Sequence, residues 1–252
     1  MTEDGDLDDQ MRFKTQEEVA GRALALVALT YRVSMDSLAR TDPHKKSRWI
    51  EIHTQLRAWV SAQAIEPHLS PTEREALAQP LGQIDDDTLF DLSWRLQALV
   101  AVLWALNVVE PMPSYAESYP ADALQPLLPF GRPVAEFLAT VRLRAEEELV
   151  TERHRAEFWN WRARTDLLRR RGTKPPVGQT YATILARAAE TALEDGIVTE
   201  VRDGDVVCRG VPYSALSPEE FADAASTAQE RHFALNWICG YAEDWDDTPT
   251  DT

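Results

Sequence analysis

Near the end of the chain, His232 and Asn236 stand one helical turn apart, and Asp244, Asp246, Asp247 and Asp251 follow. An imidazole that titrates near neutral pH can act as a general base or a metal ligand. Aspartates are hard oxygen donors of the kind Mg²⁺ and Ca²⁺ prefer. One chemistry open to this group is therefore metal-assisted catalysis, with His232 as base, Asn236 beside it and the four aspartates as candidate ligands. The spacing matches no EF-hand loop, which needs a central glycine and a distant glutamate. A structural role competes. His232 falls on an apolar stripe with Phe221, Ala225, Ala228, Leu235 and Cys239, where its ring nitrogens would be satisfied by a neighbouring side chain or carbonyl. For the aspartates three arrangements stand: a strap docked on arginines of the same chain, a solvated tail, or a metal site. Trp245 weighs toward docking, because a large aromatic among acids is costly to leave in water.

Charge sharpens the docking alternative. The net charge of -16 over 252 residues is unevenly placed. Residues 1–10 carry -5 and residues 241–252 another -5, with no base in either. Residues 153–174 instead hold seven arginines and Lys174 against Glu157 and Asp166, a local excess of +6. Phe158, Trp159 and Trp161 lie within this basic stretch, and arginines beside aromatics can bind single-stranded nucleic acid. Helical spacing, however, puts Trp159 on a core stripe with Ala156 and Ala163, leaving the arginines as a solvated outer face. An acidic body also repels nucleic acid. The acidic terminus is the natural partner for these arginines.

Other chemistries find no footing. There is no glycine-rich phosphate loop, no His-Glu-x-x-His and no Gly-x-Ser-x-Gly elbow, and helical Glu-x-x-His pairs of di-iron bundles are absent. Two cysteines, Cys208 and Cys239, form neither a disulfide framework nor a thiolate zinc site. The acidic start differs from a secretory or mitochondrial leader, and no apolar run approaches a membrane span. These features fit a cytoplasmic protein without a cofactor.

The elements that must position these residues are mostly helices. Thr15 and Glu18 make a capping-box pattern for a helix over about 16–33. Trp49, Ile52, Leu56 and Trp59 mark another over about 46–64. Asp85, Asp86 and Asp87 cap a third that runs to about Val109. Its half from Ala98 to Leu106 is apolar on every face and belongs at the centre of the core. Pro111 and Pro113 would end it. Apolar spacing then persists from Pro133 to Arg171, interrupted only by Glu152. One straight helix of that length would reach about 58 Å, against a radius of gyration of about 18 Å for a compact chain of this size, so a kink is expected near Val150–Glu152. Residues 172–179 read as a linker, followed by a helix over about 180–194. Asp203-Gly204 centres a β-hairpin over 197–209, and Ser217-Pro218-Glu219-Glu220 opens the last helix, which Gly240 closes. The expected architecture is mainly α: residues 1–14 as an acidic, disordered N-terminus, then one multi-helix domain over 15–252 with a small β-hairpin in the C-terminal third and an acidic strap at 241–252.

Two stretches resemble a known family. Glu230-Arg231-His232, Leu235-Asn236-Trp237, Gly240, Trp245-Asp246-Asp247 and Thr250-Asp251-Thr252 are similar to the C-terminal pattern of the bacterial domain of unknown function 4272 family. Trp94-Arg95 through Leu103-Trp104-Ala105-Leu106 resembles that family's central helix. The resemblance implies a soluble bacterial protein and carries over no catalytic residue. With no recognised catalytic constellation, the function expected is that of a non-enzymatic module that binds a protein partner, nucleic acid and membrane being disfavoured as partners. The alternatives are the metal-assisted enzyme built on His232 and the C-terminal aspartates, and an acidic decoy, against which the concentration of charge at the two ends speaks.

Overall fold

A computed structural model describes residues 12–251. The expectation of a disordered acidic start falls almost wholly on residues outside that range.

Nine α-helices and one small sheet are present among the described residues. Helix α1 spans Gln16–Thr41, α2 Lys46–Ala62, α3 Pro71–Ala78 and α4 Asp86–Ala105. Next come the short α5 (Ala121–Leu124) and α6 (Val134–Thr140), then α7 (Glu146–Arg170), α8 (Tyr181–Glu194) and α9 (Pro218–Ile238). Side by side, α9 packs against α7 and α4, α4 against α1, and α1 against α2 and α3. The all-apolar half of α4 lies in the middle of this stack, with Ala98 to Val102 fully buried. A helix there has no water-facing side, so its polar positions were free to disappear.

Helix starts follow the sequence closely. Thr15, Ser70 and Ser217 each accept from the third backbone N–H of their helix while a glutamate reaches back. Asp85 caps α4 in the same way without the return bond. Helix ends follow less closely. Helix α4 stops four residues before the expected Val109, because Asn107 takes a left-handed φ of 58°. Its N–H bonds the Trp104 carbonyl and that of Val108 bonds Leu103, a Schellman arrangement that closes the helix before any proline acts.

The expected kink at Val150–Glu152 is a full break some residues earlier. The chain runs irregularly from Val141 to Ala145, and α7 then continues without interruption through Glu152. The break has a partner in space. Arg142 and Arg144 donate their backbone N–H groups to Leu106 and Ala105 at 3.2 and 2.9 Å, and Arg144 Nε donates to Trp104 at 2.9 Å. The carbonyls of Ala105 and Leu106, otherwise orphaned, are satisfied by this segment, and that of Trp104 gains a further donor. Three glutamates, Glu146 to Glu148, then favour the start of α7 through its dipole.

The hairpin is present, with β1 (Val201–Arg202) and β2 (Asp205–Cys208) antiparallel about Asp203-Gly204. A third strand, β3 (Val211–Pro212), extends it through a second tight turn at Arg209-Gly210. Both turns place two consecutive residues at positive φ, the type I′ geometry that matches strand twist. Arginine is an unusual first residue for that turn, which hid it from the sequence reading.

Candidate functional site

His232 and Asn236 lie side by side in the seam between α9 and α7, and both are buried. Asn160 of α7 donates its Nδ2 to His232 Nδ1 at 3.1 Å and to the Thr250 carbonyl at 2.9 Å. Asn236 accepts from Arg153 Nε at 2.8 Å and donates to the Pro249 carbonyl at 2.8 Å. Asn160 and Asn236 thus help to fasten the chain end onto the body. Burial, reinforced by the nearby charges of Arg153 and Arg164, pulls the His232 pKa down to about 4. The ring is neutral at physiological pH, and its Nε2 is enclosed without a partner.

This geometry sets a pH dependence. The folded pKa lies below the unfolded value near 6.5, so between the two the unfolded chain binds the extra proton. Stability is therefore lost as pH falls from about 6.5 to 4, by an amount on the order of 3 kcal/mol. A His232→Asn variant, which keeps an acceptor for Asn160, is expected to lack that slope in denaturant titrations at pH 4.5 and 7. Equal pH dependence in variant and wild type would contradict the assignment.

The strap lies against the body. Gly240 adopts a φ of 87° and closes α9, and a Cβ there would sit 2.4 Å from the Arg12 carbonyl. Both facts demand glycine. Trp245 then tucks beneath the surface, edge-on to Phe233 and Trp237 at 4.7 and 5.4 Å, with the Arg22 guanidinium 4.6 Å from its ring. Lys14 Nζ donates to the Glu243 carbonyl at 3.1 Å.

The strap's attachments differ from the expected pairing of aspartates with arginines. Of the four candidate aspartates, Asp251 alone meets the basic helix, at 3.2 Å from Arg164, with both side chains exposed. Asp246 accepts from the Thr72 N–H at 3.2 Å, in the first turn of α3. Asp244 and Asp247 are exposed. Main-chain carbonyls and Trp245, rather than carboxylates, carry most of the attachment. The arginines of α7 are a solvated face only in part, since Arg153 and Arg162 are buried while Arg164 and Arg170 are exposed. Arg162 is buried and bonds Asp205 through two nitrogens at 2.8 and 2.6 Å. Asp166, also buried, accepts from Arg169 and Arg170 at 2.8 and 2.5 Å. Arg153 meets Glu157 and Arg155 meets Glu152. Acids within three or four helical positions, and one on β2, take up charge that the sequence suggested the terminus would take.

Among the described residues, no group of three or more His, Cys, Asp or Glu side chains is arranged to hold a metal ion. Both cysteines are buried and unpaired, and burial raises their thiols to about 11 and 12, so neither is a ready nucleophile.

A second polar cluster, which sequence spacing did not reveal, joins α4, α7 and α9. Arg231 donates to the carbonyls of Pro113 and Ser114 at 2.6 and 2.9 Å and to Gln97 Oε1 at 3.0 Å. Arg95 bonds Glu230 at 3.1 Å. Glu152, the residue that interrupts the apolar stripe, accepts from the Tyr115 hydroxyl at 2.9 Å. Burial raises the Glu152 carboxyl despite the opposing charge of Arg155. Nothing in the local spacing of Glu152 could name Tyr115, which is distant in sequence, as its partner.

Of the several clefts in the described residues, two differ sharply in their lining. One, of about 420 Å³, runs between the strap, the start of α3 and the inner end of α1, and Arg22, His68, Arg74, Asp244 and Asp246 line it. The other, of about 580 Å³, lies between α7 and α8 and is lined by Phe158, Trp161, Ile184, Ala188 and Ile197 with Arg187 among them. His232 lines neither cleft.

A mainly helical protein with a closed C-terminal strap and two unlike clefts is thus defined. The chain belongs to the family described as Domain of unknown function (DUF4272), whose sequence model matches residues 6–190. That span includes the α4 stretch that resembles the family and ends before α9 and the strap. No curated protein and no solved structure matches the chain significantly.

Proposed function

We propose that the protein is a non-enzymatic binding module that engages a protein partner through the groove between α7 and α8. The observation that carries this reading is the apolar lining of that groove, where Phe158 and Trp161 are half-buried with their rings 5.9 Å apart. Hydrophobic grooves beside a helix commonly receive the apolar face of an amphipathic helix. Arg187, exposed on the groove and without a carboxylate partner among the described residues, favours a helix flanked by acidic side chains. The competing metal-assisted enzyme would need His232 to face a cleft, whereas its ring is enclosed and bonded to Asn160. No helix among the described residues is long and apolar enough to cross a membrane, and two unpaired cysteines support a reducing, cytoplasmic setting.

The test uses full-length wild type and an Ile184→Asp variant as paired baits, with each captured protein purified and titrated against both. The groove predicts a partner whose affinity falls at least about 30-fold in the variant, as expected for loss of a central apolar contact. Partners that bind both forms equally would remove the groove from the interface.

A further inference from the structure

We propose that the cleft beneath the strap binds a zwitterionic amine–carboxylate, a free amino acid or a short peptide. Its inner wall holds Arg22, which is only 3% exposed. One of its terminal nitrogens bonds the buried Glu73 carboxylate, while its Nε–H has no acceptor in the protein, and Glu73 Oε1 is equally without a partner. Both of those atoms are sealed off, whereas the second terminal nitrogen of Arg22 is unbonded and not enclosed, so it is the group that Arg22 offers to the cleft.

Around the same cleft stand groups whose charges are not taken up elsewhere. Arg74 is exposed on α3 and has no carboxylate partner among the described residues, and the same is true of Asp244 with respect to bases. Asp246 uses one oxygen on Thr72. The remaining acids that line the cleft, Glu18 and Glu243, are already paired with Arg12 and Lys14.

His68 completes the wall. Its ring lies so close to Gly21 of α1 that a Cβ there would come within 2.3 Å of it. Glycine at position 21 is thus what allows the imidazole to settle on the helix. Burial and the neighbouring Arg22 charge lower its pKa, so the neutral ring offers one donor and one acceptor.

The wall therefore presents guanidinium groups from α1 and α3 and carboxylates from the strap. An anion alone would face Asp244 and Asp246, and a cation alone would face Arg22 and Arg74. A ligand carrying both charges satisfies each side. Its carboxylate would meet Arg74 and the second terminal nitrogen of Arg22, which has no acceptor among the described residues, and its ammonium would meet Asp244 and the free oxygen of Asp246. A volume of about 420 Å³ accommodates a single amino acid or a dipeptide.

The experiment is calorimetric titration of the full chain with glycylglycine and with each common L-amino acid, beside ethylamine and propionate as single-charge probes. Saturable binding with a Kd of about 1 mM or tighter is expected for at least one zwitterion, and at least tenfold weaker binding for both single-charge probes. Arg74→Ala and Asp244→Asn, both at exposed positions, are each expected to weaken that zwitterion at least tenfold while leaving the melting midpoint of the free protein unchanged. The proposal is overturned if no zwitterion saturates, if either single-charge probe binds as tightly, or if both variants bind like wild type.

Discussion

Replacement of Asp205 by alanine is expected to destabilise the protein by about 3–5 kcal/mol, the range for removing one partner of a buried ion pair. Asp205 is 3% exposed and Arg162 1%. One Asp205 oxygen accepts from Arg162 Nε and the Val206 N–H, the other from Arg162 Nη2 and the Ser214 N–H, all between 2.6 and 2.9 Å. Without this carboxylate, Arg162 would be left with Asp166 at 3.6 Å, and Asp166 already serves Arg169 and Arg170. The same residue ties β2 to α7, and a small sheet of this kind is barely stable unless it packs on something.

Because the cost arises from an uncompensated charge, an Arg162→Met, Asp205→Ala double variant should recover a substantial part of it. Denaturant titration of the single and double variants measures both effects. A loss below about 1 kcal/mol for Asp205→Ala, the range of an exposed pair, would show that Arg162 is not confined as described. Burial alone would raise the Asp205 carboxyl, but hydrogen bonds and charge from Arg162 and a bond from Ser214 hold it below the ordinary carboxylate range. Its folded pKa is thus depressed. The stability it contributes is fully present above the unfolded value near 4 and is lost as pH falls through the folded one. This acid-side loss lies below the pH window of His232.

The second large effect concerns the strap. Trp245 is 5% exposed and packs on Phe233, Trp237 and Arg22. Truncating a buried tryptophan to alanine typically costs about 3–5 kcal/mol. Ending the chain after Gly240 removes that burial and also strips acceptors from Asn160 and Asn236, whose Nδ2 groups donate to Thr250 and Pro249. Two amide donors deep in the α7–α9 seam would be left to find water or go unpaired. The buried His232 beside them would lose part of its enclosure. For a chain of this size, about 3–5 kcal/mol corresponds to a fall of roughly 6–20 °C in the melting midpoint.

Much of the helical framework was legible because the signals are local. Capping boxes at Thr15 and Ser217 act within four residues, and apolar spacing marks the face a helix buries. Asp203-Gly204 named its own turn. The errors fall where a distant segment decides. The break before α7 depends on α4, whose last carbonyls Arg142 and Arg144 cap, and no pattern within residues 133–171 contains that information. Glu152 interrupts an apolar stripe for the sake of Tyr115.

The density of polar groups at the chain end signals a purpose, but the purpose of each residue is only partly readable from sequence. The apolar stripe places His232 in the interior, where it is buried. Asp244 and Asp246 line a cleft together with Arg22, His68 and Arg74, none of which is near them in sequence. A cleft assembled from a strap, a loop and two helices leaves no spacing to find. Charge matching misled for a related reason. The basic run of α7 and the acidic terminus have opposite signs, but apart from Arg164, which meets Asp251, the paired arginines took acids of their own helix or of β2.

The most direct measurement is the thermal midpoint of a chain ending at Gly240, taken beside the intact protein under identical conditions. A midpoint lower by about 10 °C, with Trp245→Ala in the full chain accounting for much of the drop, is the predicted result. Coincident melting of the two forms would mean that the strap contributes nothing to the fold, and would contradict the packing around Trp245.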